Sequence, residues 1–131
     1  MITGVIPEEL DLVWPSVKEE VVRVINRFDF GFDSDHVLKQ LKETNMQLWL
    51  CSGDAIAVTE ILVMPDFKVL GVPIIAGKNM RDWLPDLVGI LKAYGKHHNC
   101  KYLEGYGRKG WERMLDGDGF KPYSITTRCA L

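Results

Sequence analysis

Residues 67–99 read FKVLGVPIIAGKNMRDWLPDLVGILKAYGKHHN. The first ten, Phe67–Ala76, form an apolar run of strand length. Gly77-Lys78-Asn79 interrupts it. Met80, Trp83, Leu84, Leu87, Val88, Leu91 and Tyr94 then recur at helical spacing and mark a wide apolar face, so a long amphipathic helix extends to about Asn99. Pro85 fits best in a first helical turn, which makes Asp82 the expected cap. Gly95, Lys96 and the run His97-His98-Asn99 close the helix, with cationic Lys96 suited to its negative end. At a strand–loop–helix joint the first amides of the helix are unpaired, and many α/β folds seat a phosphate there.

The strand itself carries Gly71 and Pro73, which fit a regular central ladder poorly and predict a bulge or local splay. Working upstream, the residues before it read as two returning strands. Met46, Leu48 and Leu50 alternate with Gln47, Trp49 and Cys51, Ser52-Gly53-Asp54 turns the chain, and Ala55–Met64 runs back. Pro65-Asp66 turns again into Phe67. The three strands make an antiparallel meander. Two helices precede it. The first is expected over residues 15–27, opened by Pro15, with Val17, Val21, Val24, Ile25 and Phe28 inward and Lys18, Glu19, Arg23 and Asn26 solvated. The second is short, capped by Asp33 or Ser34, with Val37, Leu38 and Leu41 inward and His36 on the surface. Between them Phe28, Phe30 and Phe32 form either a plug in the core or a loop that touches substrate. Met1–Ile6 reads as an edge strand.

Downstream of the long helix, Cys100–Gly107 is expected to be a strand parallel to Phe67–Ala76, because a helical crossover of this length joins parallel neighbours. Gly110–Leu115 reads as a short helix, Asp116-Gly117-Asp118-Gly119 as a turn, and Phe120–Leu131 as a final strand. The fold class is therefore α+β with a mixed sheet, in one domain over residues 1–131.

Bulk chemistry narrows the function classes. A net charge of −2 argues against general nucleic-acid binding, which needs a basic face. Lys101, Arg108, Lys109, Arg113 and Lys121 gather towards the C-terminus, but read as solvated charge around a sheet edge. Three cysteines, Cys51, Cys100 and Cys129, without CxxC spacing imply free thiols in a reducing compartment. Neither they nor His36, His97 and His98 show zinc-ligand spacing, so no metal site is expected. With no signal-like N-terminus and no run of ~20 apolar residues, the expected location is cytoplasmic, without membrane contact.

The element order, helix, helix, three-strand meander, long crossover helix, parallel strand, short helix and final strand, resembles that of the GNAT superfamily of N-acetyltransferases. Gly119-Phe120-Lys121-Pro122 is similar to the "L-G-F-x-x" that follows the last helix in that family. Gly107-Arg108-Lys109-Gly110-Trp111-Glu112-Arg113-Met114-Leu115 resembles small GNAT-like proteins of tailed bacteriophages, often encoded near virion-assembly genes. The family's Q/R-x-x-G-x-G/A loop, whose amides cradle the acetyl-CoA pyrophosphate, corresponds here to Ala76-Gly77-Lys78-Asn79-Met80-Arg81-Asp82-Trp83. It holds one glycine where the motif has two, and Asp82 and Trp83 bring charge and bulk towards the phosphate position.

The resemblance implies a cofactor site at Gly77, Lys78, Asn79 and Arg81, with Lys78 and Arg81 as point charges. It also places a general-acid tyrosine five residues before Phe120, where this chain has Leu115. Tyr102, Tyr106 and Tyr123 are the available substitutes, and Glu60 and Glu104 the candidate general bases. Two functions follow. One is a non-catalytic binding or assembly module with a degenerate cofactor loop and no cofactor, virion-associated in a phage setting, whose partner is a protein or a second copy. The other is an acyl-CoA-dependent N-acetyltransferase with a divergent loop, using acetyl-CoA.

Overall fold

The computed structural model describes residues 1–27, 29–106 and 115–131. Five strands form one mixed sheet in sequence order: β1 (Thr3–Val5), β2 (Met46–Leu50), β3 (Ile56–Val63), β4 (Lys68–Ala76) and β5 (Cys100–Gly105). The first four are antiparallel to their neighbours and β5 runs parallel to β4. Helices α1 (Leu10–Arg27) and α2 (Ser34–Lys42) cover one face, and α3 (Met80–His97) covers the other.

Both faces being covered explains why β2 is apolar on both sides. Met46 and Leu48 join Val21, Val24, Val37 and Leu41 under α1 and α2, while Trp49 and Cys51 join Leu84, Leu87 and Leu91 under α3. Polar groups on the α3 side pair with one another. The Trp49 indole N–H donates to Thr59 Oγ1 at 2.9 Å, and the Thr59 hydroxyl donates to Gln47 Oε1 at 2.8 Å. The Trp49 ring meets Tyr94 of α3 edge-on at 5.2 Å, and Tyr94 in turn packs on His98.

The bulge expected at Gly71 and Pro73 is present. Val58 pairs with Ile74 and Glu60 with Gly71, so Val72 and Pro73 together oppose the single residue Thr59. Proline lacks the N–H a regular ladder would need there.

Helix α2 starts as expected: Asp33 caps it by accepting from the His36 amide at 2.9 Å. Phe30 and Phe32 stack at 5.4 Å and pack half-buried on the core, the plug arrangement. Phe28 lies outside the described residues.

Several expected boundaries move. Helix α1 starts at Leu10, not at Pro15, because Pro7–Glu9 forms a 3-10 turn that feeds directly into it. Its apolar stripe accordingly begins at Leu10 and Trp14. Pro15 and Pro85 both lie inside helices, each at the sixth position and exposed, where the carbonyl left without an N–H can face water. Helix α3 is capped by Asn79 and not by Asp82: Asn79 takes a left-handed backbone (φ 55), and its carbonyl accepts the Asp82 amide at 2.9 Å.

Strand β5 stops at Gly105. Residues 120–131 form no strand. From Lys121 on every residue is exposed, and the tail is held by Arg128, which donates to the Asp29 carbonyl at 2.8 Å. Strand-favouring residues such as Ile125 and Thr126 stay irregular when no ladder receives them. The expected short helix at 110–115 falls outside the described residues except for Leu115. Asp116–Asp118 forms a 3-10 turn. No helix among the described residues is long and apolar enough to cross a membrane.

Thr59→Val keeps the shape of the core but strands the Trp49 indole N–H and the Gln47 carbonyl. The expected loss is about 1–3 kcal/mol in urea denaturation, whereas Thr59→Ser, which keeps the hydroxyl, avoids most of that loss.

Candidate ligand-binding groove

Between α1 and the carboxyl end of β4 lies a groove of about 570 Å³. One wall is Glu20, Arg23, Val24 and Arg27 of α1. The β2–β3 turn, Ser52-Gly53-Asp54, closes one end. The floor is β4 from Pro73 to Ala76, and the joint Gly77-Lys78-Asn79-Met80 forms the mouth.

The joint is built by packing. Gly77 has φ +141, and a Cβ there would lie 2.3 Å from Ala55 Cβ and 2.6 Å from Ala55 Cα. This glycine is therefore required by the close approach of the β2–β3 turn, whatever the groove holds. Trp83 is buried, and its indole N–H donates to the Lys78 carbonyl at 2.8 Å. The expectation that Trp83 fills the phosphate position is thus corrected: an aromatic three residues into α3 faces the core, and it ties the loop down from inside. With the Lys78 and Asn79 carbonyls engaged internally, the first amides of α3, at Met80 and Arg81, have no backbone partner among the described residues, as at any helix start.

Of the four expected cofactor residues, Gly77, Lys78 and Asn79 line the groove. Arg81 is exposed on the first turn of α3 and does not line it. Arg23, expected on the solvated face of α1, and Arg27 contribute positive charge to the groove. Arg23 is partly engaged by Glu20 at 2.6 Å. The available signal was the pair Arg23 and Arg27 at i,i+4, flanking the buried Val24.

The candidate bases converge on a tyrosine. Glu60 of β3 and Glu104 of β5 are both in register with Gly71 of β4, one on each side. Tyr106, just past β5, lies over Gly71, where a Cβ would come 2.9 Å from its hydroxyl. Its hydroxyl donates to Glu104 Oε2 across a long 3.4 Å. Burial pushes the Tyr106 hydroxyl up to about 12, with the negative charges of Glu104 and Glu60 adding to it, so the phenol stays protonated at neutral pH. Burial also raises Glu60 above the ordinary carboxylate value, partly offset by His36 of α2.

Of the three candidate tyrosines only Tyr106 lines the groove. Tyr102 sits edge-on to Phe67 at 5.2 Å, and Tyr123 is 90 % exposed in the tail. His97 and His98 close the opposite end of α3. Among the described residues no group of three or more His, Cys, Asp or Glu side chains could hold a metal ion. Burial pushes the Cys51 thiol up to about 12, which leaves it unreactive as a nucleophile.

A helix pair on one face, a meander with a bulged fourth strand, a crossover helix and a parallel fifth strand can be matched to solved structures. A predicted acetyltransferase with acetyl-CoA from Clostridium acetobutylicum superposes with a TM-score of 0.71 at 9% identity, covering 99% of this chain and 95% of that one. An aminoglycoside acetyltransferase from an uncultured soil metagenomic sample, in complex with sisomicin, gives 0.71 at 12% identity over 100% and 95%. The fold is that of the GNAT acetyltransferases. A ribosomal-protein-alanine N-acetyltransferase from Brucella melitensis biovar Abortus 2308 matches at 0.62 and 10% identity, over 97% and 99%. At such identities the likeness to GNAT enzymes is one of fold alone. Neither a family model nor a curated protein matches the chain.

Gly77→Ala forces a backbone clash and a strained φ, and the expected cost is about 3 kcal/mol in chemical denaturation. Glu60→Gln tests the buried carboxylate. A folded-state value raised above the unfolded one makes the parent lose stability as pH rises from the unfolded value through the folded one. The variant is expected to be more stable than the parent at neutral pH, with the gap closing once pH falls below the ordinary carboxylate range.

Proposed function

We propose that this chain is a binding module on the GNAT scaffold, holding a phosphate-bearing ligand of the acyl-CoA type in the groove between α1 and β4. The observation that carries this reading is the groove itself. It runs from the start of α3, whose first amides have no backbone partner among the described residues, past Lys78, Arg27 and Arg23, to the protonated phenol of Tyr106. Helix-start amides and point charges are the groups a phosphate needs. Lys78, Asn79 and Arg27 would hold the anionic part. When bound, such a ligand presents an acyl thioester, and nothing in this reading requires its turnover. The family's proton-donor position is occupied by Leu115, half-buried and apolar. As a module the chain serves by presenting the bound ligand, or the groove's surroundings, to a protein partner, as expected for small phage-encoded GNAT-like proteins of virion assembly.

A second reading, acyl transfer to an amine, is favoured by one observation, the placement of Tyr106 between Glu60 and Glu104. In that role Glu60 accepts the amine proton and Tyr106 donates one to the leaving thiolate.

Thermal unfolding with acetyl-CoA tests the groove assignment that both readings share, and thiol release separates the two. At 100 times Kd a bound ligand adds about 2.7 kcal/mol, a rise of several degrees in Tm. The rise is expected for the parent and absent in Lys78→Glu/Arg27→Glu. No rise at millimolar acetyl-CoA rules out the groove assignment. Amine-dependent release of free thiol that is lost in Tyr106→Phe would replace the module by the transferase.

A further inference from the structure

The hairpin of β3 and β4 outreaches both of its neighbours. The last pair of β3 with β2 is Glu60 with Met46, and the first pair of β4 with β5 is Lys68 with Cys100, yet β3 runs on to Val63. Three further residues carry the tip about 10 Å past the last β2 pair, at the opposite end of β4 from the groove. The tip is a tight turn around Pro65 and Asp66, in which the Met64 amide donates to the Phe67 carbonyl at 2.8 Å. What it presents is apolar. Val63 is 76 % exposed and Met64 48 %, with Pro65 exposed beside them. Exposed Leu12 and Ile90, by contrast, stand singly on helices, where an apolar side chain needs no explanation.

Cations and aromatic rings surround this tip. Lys101 Nζ lies 5.4 Å from the centre of the Phe67 ring and 5.5 Å from that of Tyr102, and the two rings meet edge-on at 5.2 Å. Lys68 follows Phe67 directly, and Lys96 sits in the last turn of α3, just before the start of β5. None of these lysines has an ion-pair partner among the described residues. Residues 63–68 and 96–102 thus hold three lysines against one acid, Asp66, on a chain whose net charge is −2.

We propose that this end of the molecule docks on an anionic membrane surface. Val63 and Met64 enter the headgroup region, Phe67 and Tyr102 lie at its boundary, and Lys68, Lys96 and Lys101 meet the lipid phosphates and carboxylates. Apolar tip, aromatic rim and lysines match in order the layers of a bilayer surface. A purely electrostatic partner such as nucleic acid would leave the exposed Val63 and Met64 unused. The expectation of no membrane contact followed from the lack of a spanning segment and of a signal, and neither bears on a peripheral hairpin. Docking here leaves the groove open, since it lies at the other end of β4, and does not depend on what the groove binds.

Co-sedimentation of the full chain with phosphatidylcholine vesicles holding about 30 mol % phosphatidylserine tests this. Each lysine near such a surface adds about fivefold to partitioning, so Lys68→Glu/Lys101→Glu is expected to bind at least ~25-fold more weakly. Val63→Ser/Met64→Ser changes no charge and is expected to lose about tenfold or more. The parent is expected to leave the vesicles when salt rises from ~0.1 M to ~1 M, which shortens the screening length from ~10 Å to ~3 Å. Absence of sedimentation, or equal sedimentation with pure phosphatidylcholine, overturns the inference. Binding that the lysine variant loses but the serine variant keeps marks a purely electrostatic surface and overturns it as well.

Discussion

The structure depends on what happens to β4 at Val72 and Pro73. Up to Val72 the strand is paired on both sides, by β3 and by β5. There two residues oppose one, a proline removes a donor, and beyond it only β3 remains as a partner among the described residues. Pro73, Ile75 and Ala76 of β4 contribute to the groove, and Ile75 and Tyr106 line both it and the apolar cavity under α3.

The groups around that opening are held by packing that has its own reasons. Gly77 is glycine because Ala55 leaves no room, and Gly71 is glycine because Tyr106 lies over it. Trp83 is fixed by burial and by the Lys78 carbonyl. None of these constraints needs a ligand, yet together they position the start of α3 and the phenol. This is how a scaffold keeps the outline of a site after its motif has changed. The single glycine of the joint is explained structurally, and the missing second glycine removes freedom without filling the groove.

Much of this was legible in the chain because it is local. The alternation of Met46, Leu48 and Leu50, the 3.6-residue stripe from Met80 to Tyr94, and the awkward pair Gly71 and Pro73 each report on a few neighbouring residues. The misread helix starts were local too. A proline favours a first turn, but Leu10 and Trp14 extend the buried stripe of α1 upstream of Pro15, and Asn79 caps α3 with its backbone, which leaves no side-chain signature. The final strand failed for the opposite reason. Strand propensity at residues 120–131 is only a preference for a ladder, and in this structure the tail meets Asp29 instead.

The sequence by itself determined the order and type of the elements from β1 to β5, the meander, the bulge and the crossover, since periodicity and backbone chemistry are encoded residue by residue. Only the tertiary structure decided which charges share a space. Arg23 and Arg27 look like solvent-facing residues of a helix until α1 is laid beside the end of β4, and Trp83 looks like an obstruction until it turns inward. Glu60, Glu104 and Tyr106 are 46 residues apart in the chain at their extremes, and register alone brings them around Gly71. Lateral strand pairing has no local signal, because it is set by the summed burial of both sheet faces and not by any one stretch.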